Sequence, residues 1–481
     1  MHTFLWHDYE TFGADPRRDR PAQFAAVRTD AELREVGEPL EWFCKPPLDY
    51  LPDPQSCLIT GITPQQAFER GLPEHAFADA IAAEFSQPGT VGVGYNTIRF
   101  DDEFTRFLFW RNLIDPYARE WQGGNGRWDI LDVVRMTYAL RPEGIEWPVN
   151  GEGRVSFRLE HLSAANGLAH EAAHDAVSDV RATIALARLL REKQPRLFDF
   201  ALQLRDKRTV ARELGLPVQP GQARPFVHVS GMFPVEQGCL AVMWPLASHP
   251  GNRNEIIAWN LAFDPAELLD LDAATLRQRL FTRQAELPPG VQRLPVKSIH
   301  LNKSPMVAGN LKVLTPAVVA RWNIDMEQLA RHAEIARALP DMSGIWAAVY
   351  ERPGRADADP ADPEQDLYGG FVGDEDRRRL YRLKALSPEE LALNQPGFDD
   401  PRLDTLLFRY RARNYPDTLS PDEQQRWEAH RRAVLIDGEG GARTASQLMA
   451  EVDALSDDAN EAEQEILGTI YDWAEAIAPE A

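Results

Sequence analysis

The chain has 481 residues, of which 44% are hydrophobic and 26% are charged, and its formal net charge is −22. A chain of this length is too long for one ordinary hydrophobic core, so we expect two to four domains. The N-terminus lacks a signal-peptide pattern and no stretch approaches about 18 apolar residues, so we expect neither secretion nor a membrane span. Three scattered cysteines give no disulfide framework, which favours the cytoplasm.

The negative charge is unevenly distributed along the chain. Residues 196–350 carry 17 basic against 14 acidic side chains, whereas residues 351–481 carry 15 against 30. An acidic protein can still bind a phosphate backbone through a local positive groove. The net charge therefore does not exclude a nucleic acid as the substrate.

The first dozen residues carry the clearest chemical signal. An apolar run leads into Asp8 and Glu10, and Thr11 and Gly13 follow. On a strand, residues two apart point to the same side, so both carboxylates face one way. Two carboxylates at the end of a buried strand repel each other and lose hydration, and a cation between them offsets both costs. Such oxygen ligands suit Mg²⁺ or Mn²⁺. The alternative is a strand that ends in two solvated acids.

Strand and helix signals then alternate over the first 195 residues. In chain order the pattern predicts strands over residues 23–28 and 40–44, a short helix opened by Thr63 and Pro64, a helix over residues 74–85, and a buried strand over residues 90–96. Strands followed by repeated helices indicate an α/β layer architecture for this part of the chain.

Segments rich in proline and glycine divide the rest of the chain. Residues 215–225 predict a linker, and the short β-like segments that follow, up to about residue 312, predict a small β-rich domain. Residues 352–366 predict a connector, and the pattern beyond Asp374 is helical. We therefore expect domains at residues 1–193, 196–350 and 352–481.

Two later stretches offer partners for the acids of the first strand. Asn96 precedes Phe100, Asp101 and Asp102 where a predicted strand gives way to a helix. His174 and Asp179 open a further helix. Acids at a helix N-terminus also serve as caps, and a lone histidine at a helix start is more often structural than catalytic.

Together, these three stretches resemble the DEDDh group of the proofreading-exonuclease superfamily. Its motifs are an Asp-x-Glu strand, an Asn…Phe-Asp junction and a His-x₄-Asp helix; Asp101 or Asp102 matches the second, and the preceding Phe100 favours Asp101. Further stretches are similar to the bacterial exonuclease I family, at residues 7–13, 19–26, 58–64, 127–129, 131–133, 139–145, 228–233 and 410–414. This resemblance implies a ribonuclease H-like α/β exonuclease domain with a mixed sheet and flanking helices, an SH3-like β domain and a C-terminal helical domain.

The resemblance also implies an activity, namely 3′→5′ degradation of single-stranded DNA to 5′-mononucleotides in DNA repair and recombination. Two-metal-ion hydrolysis with Mg²⁺, or with Mn²⁺ in its place, fits the residues. The metal ligands would be Asp8, Glu10, Asp101 and Asp179, with Glu10 also touching the substrate, and His174 would take a proton from the attacking water.

Two other functions are weighed against this one. A DEDDh exoribonuclease would trim RNA 3′ ends, but small enzymes of that kind lack the two extra domains. A non-catalytic clamp would bind single-stranded DNA without cutting it, but a clamp has no need to keep repelling carboxylates together.

Several residues are candidates for substrate or partner contacts. Arg158, at a predicted helix start, could hold a phosphate. The candidates for tracking the strand or stacking a base are Arg106, Arg135 and Trp121, each with a purely structural role as the alternative. Lys297, together with Lys303, could close a channel over the strand. The resemblance implies a partner, the acidic C-terminal tail of the single-stranded-DNA-binding protein, and Arg141 falls in a matching stretch. The sequence shows no oligomerisation signature, so we expect a monomer.

Overall fold

The computed structural model describes residues 2–168, 176–219, 221–351, 361–394 and 396–479. The chain forms two compact units: the first contains residues 1–126, 170–184 and 359–481, and the second contains residues 127–169 and 185–358. The domain bounds expected from chain order stay a prediction. Among the residues with described structure, no helix is long and apolar enough to cross a membrane.

Helices make up a little under half of the described residues. In order they are α1 (Pro54–Thr60), α2 (Pro64–Arg70), α3 (Glu74–Phe85), α4 (Asp101–Arg111), α5 (Ile130–Leu140), α6 (Leu159–Ala165), α7 (Ala176–Lys193), α8 (Pro195–Gln203), α9 (Lys207–Glu213), α10 (Ala273–Phe281), α11 (Pro316–Arg321), α12 (Met326–Ala338), α13 (Ser343–Val349), α14 (Asp374–Leu383), α15 (Pro388–Ala392), α16 (Arg402–Asn414), α17 (Pro421–Leu435), α18 (Ala445–Ser456) and α19 (Glu461–Ile477). The helices expected from Pro64 and over residues 74–85 are α2 and α3.

A mixed sheet lies at the centre of the first unit. Within that unit its strands are β1 (Thr3–Thr11), β2 (Pro21–Thr29), β3 (Leu40–Phe43) and β4 (Thr90–Gly94), in the order β3-β2-β1-β4. Strand β1 is antiparallel to β2 and parallel to β4. A short strand, β5 (Gly126–Asp129), follows where the chain passes from the first unit to the second. The mixed sheet with flanking helices confirms the expected fold class.

The register of β1 positions its acids. Pairing between β1 and β4 ends at Trp6, opposite Val93, whereas pairing with β2 continues past Asp8 to Thr11. Asp8 and Glu10 therefore lie beyond the last described β1–β4 pair, where a carboxylate can extend past the parallel strand.

The C-terminal helices contribute to the core of the first unit. Phe107 and Trp110 of α4 belong to one buried cluster with Leu380 of α14 and Leu403 of α16. A second cluster joins Phe12 to side chains of α17, α18 and α19. The segment after residue 360 therefore stabilises the helix that begins at Asp101.

The second unit contains an antiparallel sheet. Its strands are β6 (Phe226–Val229), β7 (Leu240–Ser248), β8 (Glu255–Asn260), β9 (Val296–His300) and β10 (Met306–Ala308), in the order β10-β6-β7-β8-β9. Every neighbouring pair is antiparallel. This sheet is the small β-rich domain that the sequence predicts.

Candidate active site

Three carboxylates meet at the end of β1. Asp8 and Glu10 lie two residues apart on the strand, and Asp179 lies in the first turn of α7. One oxygen from each of these side chains lies within 4.8 Å of the others. The structure therefore brings the first and last motifs together, as the spacing on a strand predicts.

Asp101 is the acid of the middle motif that faces this cluster. The Tyr9 backbone N–H, between the two acids of β1, donates to Asp101 Oδ1 at 3.1 Å. Asp102 points to a different partner, an ion pair with Arg119 at 2.6 Å in which both side chains are 2% exposed. These contacts favour Asp101 over Asp102 as the acid of the middle motif.

The turn between β4 and α4 explains how Asp101 reaches β1. Asn96 has a φ of +67°, in the left-handed region, and reverses the chain just after the strand. The Thr105 hydroxyl then donates to the Asp101 carbonyl at 2.8 Å, and its oxygen lies 3.1 Å from the Tyr9 hydroxyl. These bonds fix the first turn of α4 against β1.

Burial and repulsion between carboxylates disfavour the charged forms of Asp8 and Asp101. Burial raises the pKa of the Asp8 carboxyl to about 8, and the charge of Asp179 adds to the rise. Burial, followed by the charge of Asp8, raises the pKa of Asp101 well above its usual range. A cation would reverse both effects. Because one carboxylate oxygen of each of Asp8, Glu10 and Asp179 lies within 4.8 Å of the others, and oxygen donors are the ligands that hard divalent cations prefer, this cluster fits a divalent metal.

A buried histidine packs on the face of β1 opposite to Asp8 and Glu10, and its surroundings were not predicted. His7 is 2% exposed, its ring lies 5.0 Å from the Phe85 ring, and burial lowers its pKa to about 4. The Arg119 guanidinium stacks on the same Phe85 ring at 4.5 Å. Neither residue carries a local sequence signal, because their partners are distant in the chain.

The predicted proton acceptor, His174, lies outside the described residues. Helix α7 begins at Ala176, two positions later, and Asp179 follows in its first turn. The role of His174 stays a prediction.

Arg106 and Trp121 occupy contrasting environments. Arg106 is 5% exposed and forms ion pairs of 2.7 Å with both Glu103 and Glu120. Its guanidinium also donates to the Tyr368 hydroxyl at 3.1 Å. Trp121 is 64% exposed at the end of a short helical turn. Substrate contact stays a prediction for both, and the ion pairs of Arg106 fit the structural role that was its alternative.

Two of the remaining candidates flank one loop in the second unit. Arg135 pairs with Asp132 at 2.8 Å, and its guanidinium lies so close to Gly231 that a Cβ there would be 2.6 Å from it. Lys297 Nζ donates to the Ser230 hydroxyl at 2.8 Å. Arg158 is separate from them, with a side chain 73% exposed.

Family models cover the chain in three successive parts. The model described as exonuclease matches residues 5–187, the exonuclease I SH3-like domain matches residues 205–352, and the exonuclease I C-terminal domain matches residues 361–477. The exodeoxyribonuclease I of Escherichia coli (strain K12) is 46% identical over 479 residues, which cover 99% of this chain and 98% of that protein. The chain belongs to the exonuclease I family.

Solved structures of exonuclease I share its fold. Exonuclease I from Methylocaldum szegediense has a TM-score of 0.93 at 49% identity, covering 100% of both chains. E. coli exonuclease I in complex with a dA16 oligonucleotide has a TM-score of 0.91 at 45% identity, covering 99% of this chain and 100% of that one. As an exonuclease I, the chain is a metal-dependent hydrolase that degrades single-stranded DNA in the 3′→5′ direction. This membership favours the exonuclease over the exoribonuclease and the clamp.

Arg141 lies at a pocket of the second unit. The cavity, of about 420 Å³, is lined by two arginines, Arg141 and Arg196, and by an apolar set that includes Met136, Leu140, Leu197, Phe200 and Val313. Arg141 also donates to the Val313 carbonyl at 3.2 Å, which holds its guanidinium beside the pocket. An apolar pocket with arginines beside it can accept an apolar side chain together with a carboxylate.

Proposed function

We propose that this exonuclease I, acting as a monomer in the cytoplasm, releases 5′-mononucleotides from single-stranded DNA by two-metal-ion hydrolysis during DNA repair and recombination. Mg²⁺ is the proposed metal, with Mn²⁺ able to replace it. The observation that supports the proposal most strongly is the approach of carboxylate oxygens from Asp8, Glu10 and Asp179 to within 4.8 Å.

The residues that would hold the metals are Asp8, Glu10, Asp101 and Asp179. Bound divalent ions would neutralise the phosphate oxygens, activate the attacking water and stabilise the leaving 3′-oxygen. Carboxylate oxygens favour Mg²⁺ and Mn²⁺ over softer metals. A zinc-bound crystal form of the E. coli exonuclease I complex with single-stranded DNA, 44% identical with a TM-score of 0.90, supports a divalent site in this family.

The chain's own groups orient the site and move the proton. The Tyr9 backbone N–H keeps Asp101 turned toward β1 through its 3.1 Å bond to Oδ1. Glu10, 7% exposed on the same strand, contacts the terminal nucleotide as well as a metal. His174 takes the proton from the attacking water, since a histidine titrates near neutral pH.

Outside the acid cluster, exposed cationic and aromatic side chains guide the strand. Arg158 holds a phosphate with its exposed guanidinium, and Trp121 stacks a base. Arg135 and Lys297 contact the DNA backbone next to the loop of Ser230 and Gly231, against which both side chains pack. Arg106 contributes indirectly, by holding neighbouring side chains in place.

The pocket beside Arg141 binds the acidic C-terminal tail of the single-stranded-DNA-binding protein. The pocket combines an apolar lining with Arg141 and Arg196, which suits a peptide end that carries both an apolar side chain and carboxylates. A relative at 44% identity and a TM-score of 0.88 is described as a complex of SSB and exonuclease I. This tail would bring the enzyme to protein-coated single strands.

Digestion of a 5′-labelled single-stranded DNA oligonucleotide, beside the same sequence as RNA, tests the proposal. With Mg²⁺ the DNA should shorten stepwise from its 3′ end, the RNA should persist, and Asp179→Ala should leave the DNA intact. Tight DNA binding without cleavage in Mg²⁺ or Mn²⁺ would contradict the proposed chemistry. Preferential loss of the RNA would contradict the proposed substrate.

A further inference from the structure

Gln23 is a buried amide side chain on the strand next to the acids of β1. Strand β2 pairs antiparallel with β1, and in this register Gln23 lies directly opposite Glu10. Directly opposed residues of an antiparallel pair project from the same face of the sheet, with Cβ atoms about 4.5–5.5 Å apart. Gln23 is 5% exposed and Glu10 is 7% exposed. Gln23 is therefore a neighbour of the acid cluster, although none of the steps proposed for hydrolysis uses it.

Glu41 fixes the orientation of this amide. The Gln23 Nε2 group donates to Glu41 Oε1 at 2.7 Å. Glu41 lies on β3 opposite Ala25, so its exposed side chain shares the sheet face of Gln23. A carboxylate accepts hydrogen bonds and does not donate them, so the amide nitrogen must be the end that faces Glu41. The carbonyl oxygen of Gln23, Oε1, is consequently turned away from Glu41.

This carbonyl oxygen is an acceptor that has a place for a donor. Among the described residues, no N–H or O–H group donates to Gln23 Oε1. Glu10, as a metal ligand, is a carboxylate and offers no hydrogen either. Solvent satisfies such an oxygen until a ligand with a donor group replaces it.

The donor that suits this position is a hydroxyl at the end of the strand. Phosphate oxygens accept hydrogen bonds, and the donor groups of the bases differ from one base to the next. The 3′-hydroxyl is present at every free 3′ end, whereas each internal 3′-oxygen is esterified and carries no hydrogen. An acceptor beside Glu10 can therefore recognise a strand end without reading the sequence.

We propose that Gln23 Oε1 accepts a hydrogen bond from the 3′-hydroxyl of the terminal nucleotide, and that Glu41 positions the amide for this contact. The inference rests on the proposed function, in which Glu10 contacts that nucleotide, because Gln23 is the residue opposite Glu10 on the same face. The contact favours a free 3′ end over an internal phosphodiester, which is the selectivity that an exonuclease needs.

Two substrates that differ in one hydroxyl test the inference. The measurement is kcat/KM for release of the labelled terminal nucleotide, in Mg²⁺, from dT13 ending in a 3′-hydroxyl and from the same strand ending in a 2′,3′-dideoxynucleotide. Gln23→Met keeps the length of the side chain but removes the amide. It should reduce the preference for the 3′-hydroxyl end about fivefold, the value of one neutral hydrogen bond, and should leave release from the dideoxy end unchanged.

Glu41→Ala tests the positioning role at an exposed residue, where the fold is not at risk. It should reduce the same preference about twofold, because the amide is present but no longer oriented. Glu38→Ala, which removes an exposed acid three residues earlier, is the matched control and should keep the wild-type preference.

The dideoxy comparison also separates this inference from the proposed function. If Gln23→Met slowed release from both ends equally, or if neither variant changed the preference, the contact with the 3′-hydroxyl would be overturned even though the enzyme digests DNA. A wild type that released nothing from either end would refute the proposed function instead. Equilibrium binding of the two strands would then test the contact, and an equal affinity of wild type for both would overturn it.

Discussion

Two groups of buried acids in the first unit have opposite electrostatics. At the end of β1, Asp8, Glu10 and Asp179 approach one another, and burial raises the pKa of Asp8 to about 8. Elsewhere in the unit, Asp49 and Glu364 are buried and share the guanidinium of Arg413, at 2.7 and 3.1 Å.

The neighbours of the second group account for the difference. Arg20 approaches Glu364 at 3.1 Å, and His430 approaches Asp49 at 3.3 Å. Burial alone would raise the pKa of the Asp49 and Glu364 carboxyls, yet these cationic neighbours hold both pKa values below their usual range. Fixed cations therefore lower the pKa values of Asp49 and Glu364, whereas repulsion by a second carboxylate adds to the rise at Asp8. The first group is suited to bind a cation from solution, and the second is suited to stabilise the fold.

The largest expected effect is on catalysis. Asp8→Asn keeps the shape of the side chain but removes a charged metal ligand, so the rate of single-stranded DNA digestion should fall by at least about 10³-fold. Without metal the variant should melt no lower than the wild type, because a repelling charge is gone. Digestion rates and thermal unfolding in EDTA measure both. A variant that stays active would remove Asp8 from the metal site.

Removing a cation from the second group should mainly lower stability. Arg413→Ala leaves Asp49 and Glu364 buried without their shared partner, and the free energy of unfolding should fall by about 3–5 kcal/mol. Chemical denaturation measures the loss. The control is Arg378→Ala, whose side chain is 65% exposed beside Glu375, and it should cost less than about 1 kcal/mol. Equal losses in the two variants would contradict the contrast.

The sequence predicts the first group and misses the second for a physical reason. Asp8 and Glu10 follow a strand period that is visible locally, and the spacing of Asp179 behind a helix start is also local. Asp49 and Glu364 meet through Arg413 although more than 300 residues separate the two acids. No local pattern indicates such a pairing. The sequence of the acidic C-terminal third gives its net charge but not the partners of its acids.

The same limit explains the residues whose surroundings the sequence did not predict. Asp101 and Asp102 are equivalent as helix-start acids, and the ion pair of Asp102 with Arg119 distinguishes them. Arg106 lies on the expected helix, but Glu120 pairs with it from an irregular segment 14 residues later. Element type and motif spacing are thus predictable here, whereas the partners of buried charges depend on tertiary contacts.

The dependence of stability on pH should differ in sign between the two groups. The unfolded chain releases the Asp8 proton near pH 4 and the metal-free folded chain near pH 8, so metal-free stability should fall as pH rises between these values. We expect a loss of about 2 kcal/mol between pH 6 and 8 in EDTA, and saturating Mg²⁺ should abolish it. Asp49 and Glu364, whose pKa values are depressed, should lose stability only as pH falls below about 4. Thermal unfolding across pH, with EDTA and with Mg²⁺, measures both trends.

A metal-free stability that rose from pH 6 to 8 would contradict the raised pKa of the Asp8 carboxyl.

The smallest expected effect concerns peptide binding, and it follows from a comparison of two arginines, Arg413 and Arg141. Arg413 is held by two carboxylates, whereas the described bonds of Arg141 run to the backbone carbonyls of Leu140 and Val313 beside an apolar pocket. Arg141 is therefore suited to an acidic peptide, and Arg141→Ala should weaken binding of a peptide with the single-stranded-DNA-binding protein's C-terminal sequence about tenfold, or about 1.4 kcal/mol. Fluorescence anisotropy of the labelled peptide measures this.

The control is Arg154→Ala, because the Arg154 side chain is 53% exposed and paired with Glu152, and this variant should bind the peptide normally. Because the pocket is distinct from the acid cluster, digestion of bare oligonucleotides should continue in both variants, and a digestion defect in Arg141→Ala would mean that this arginine contacts DNA instead.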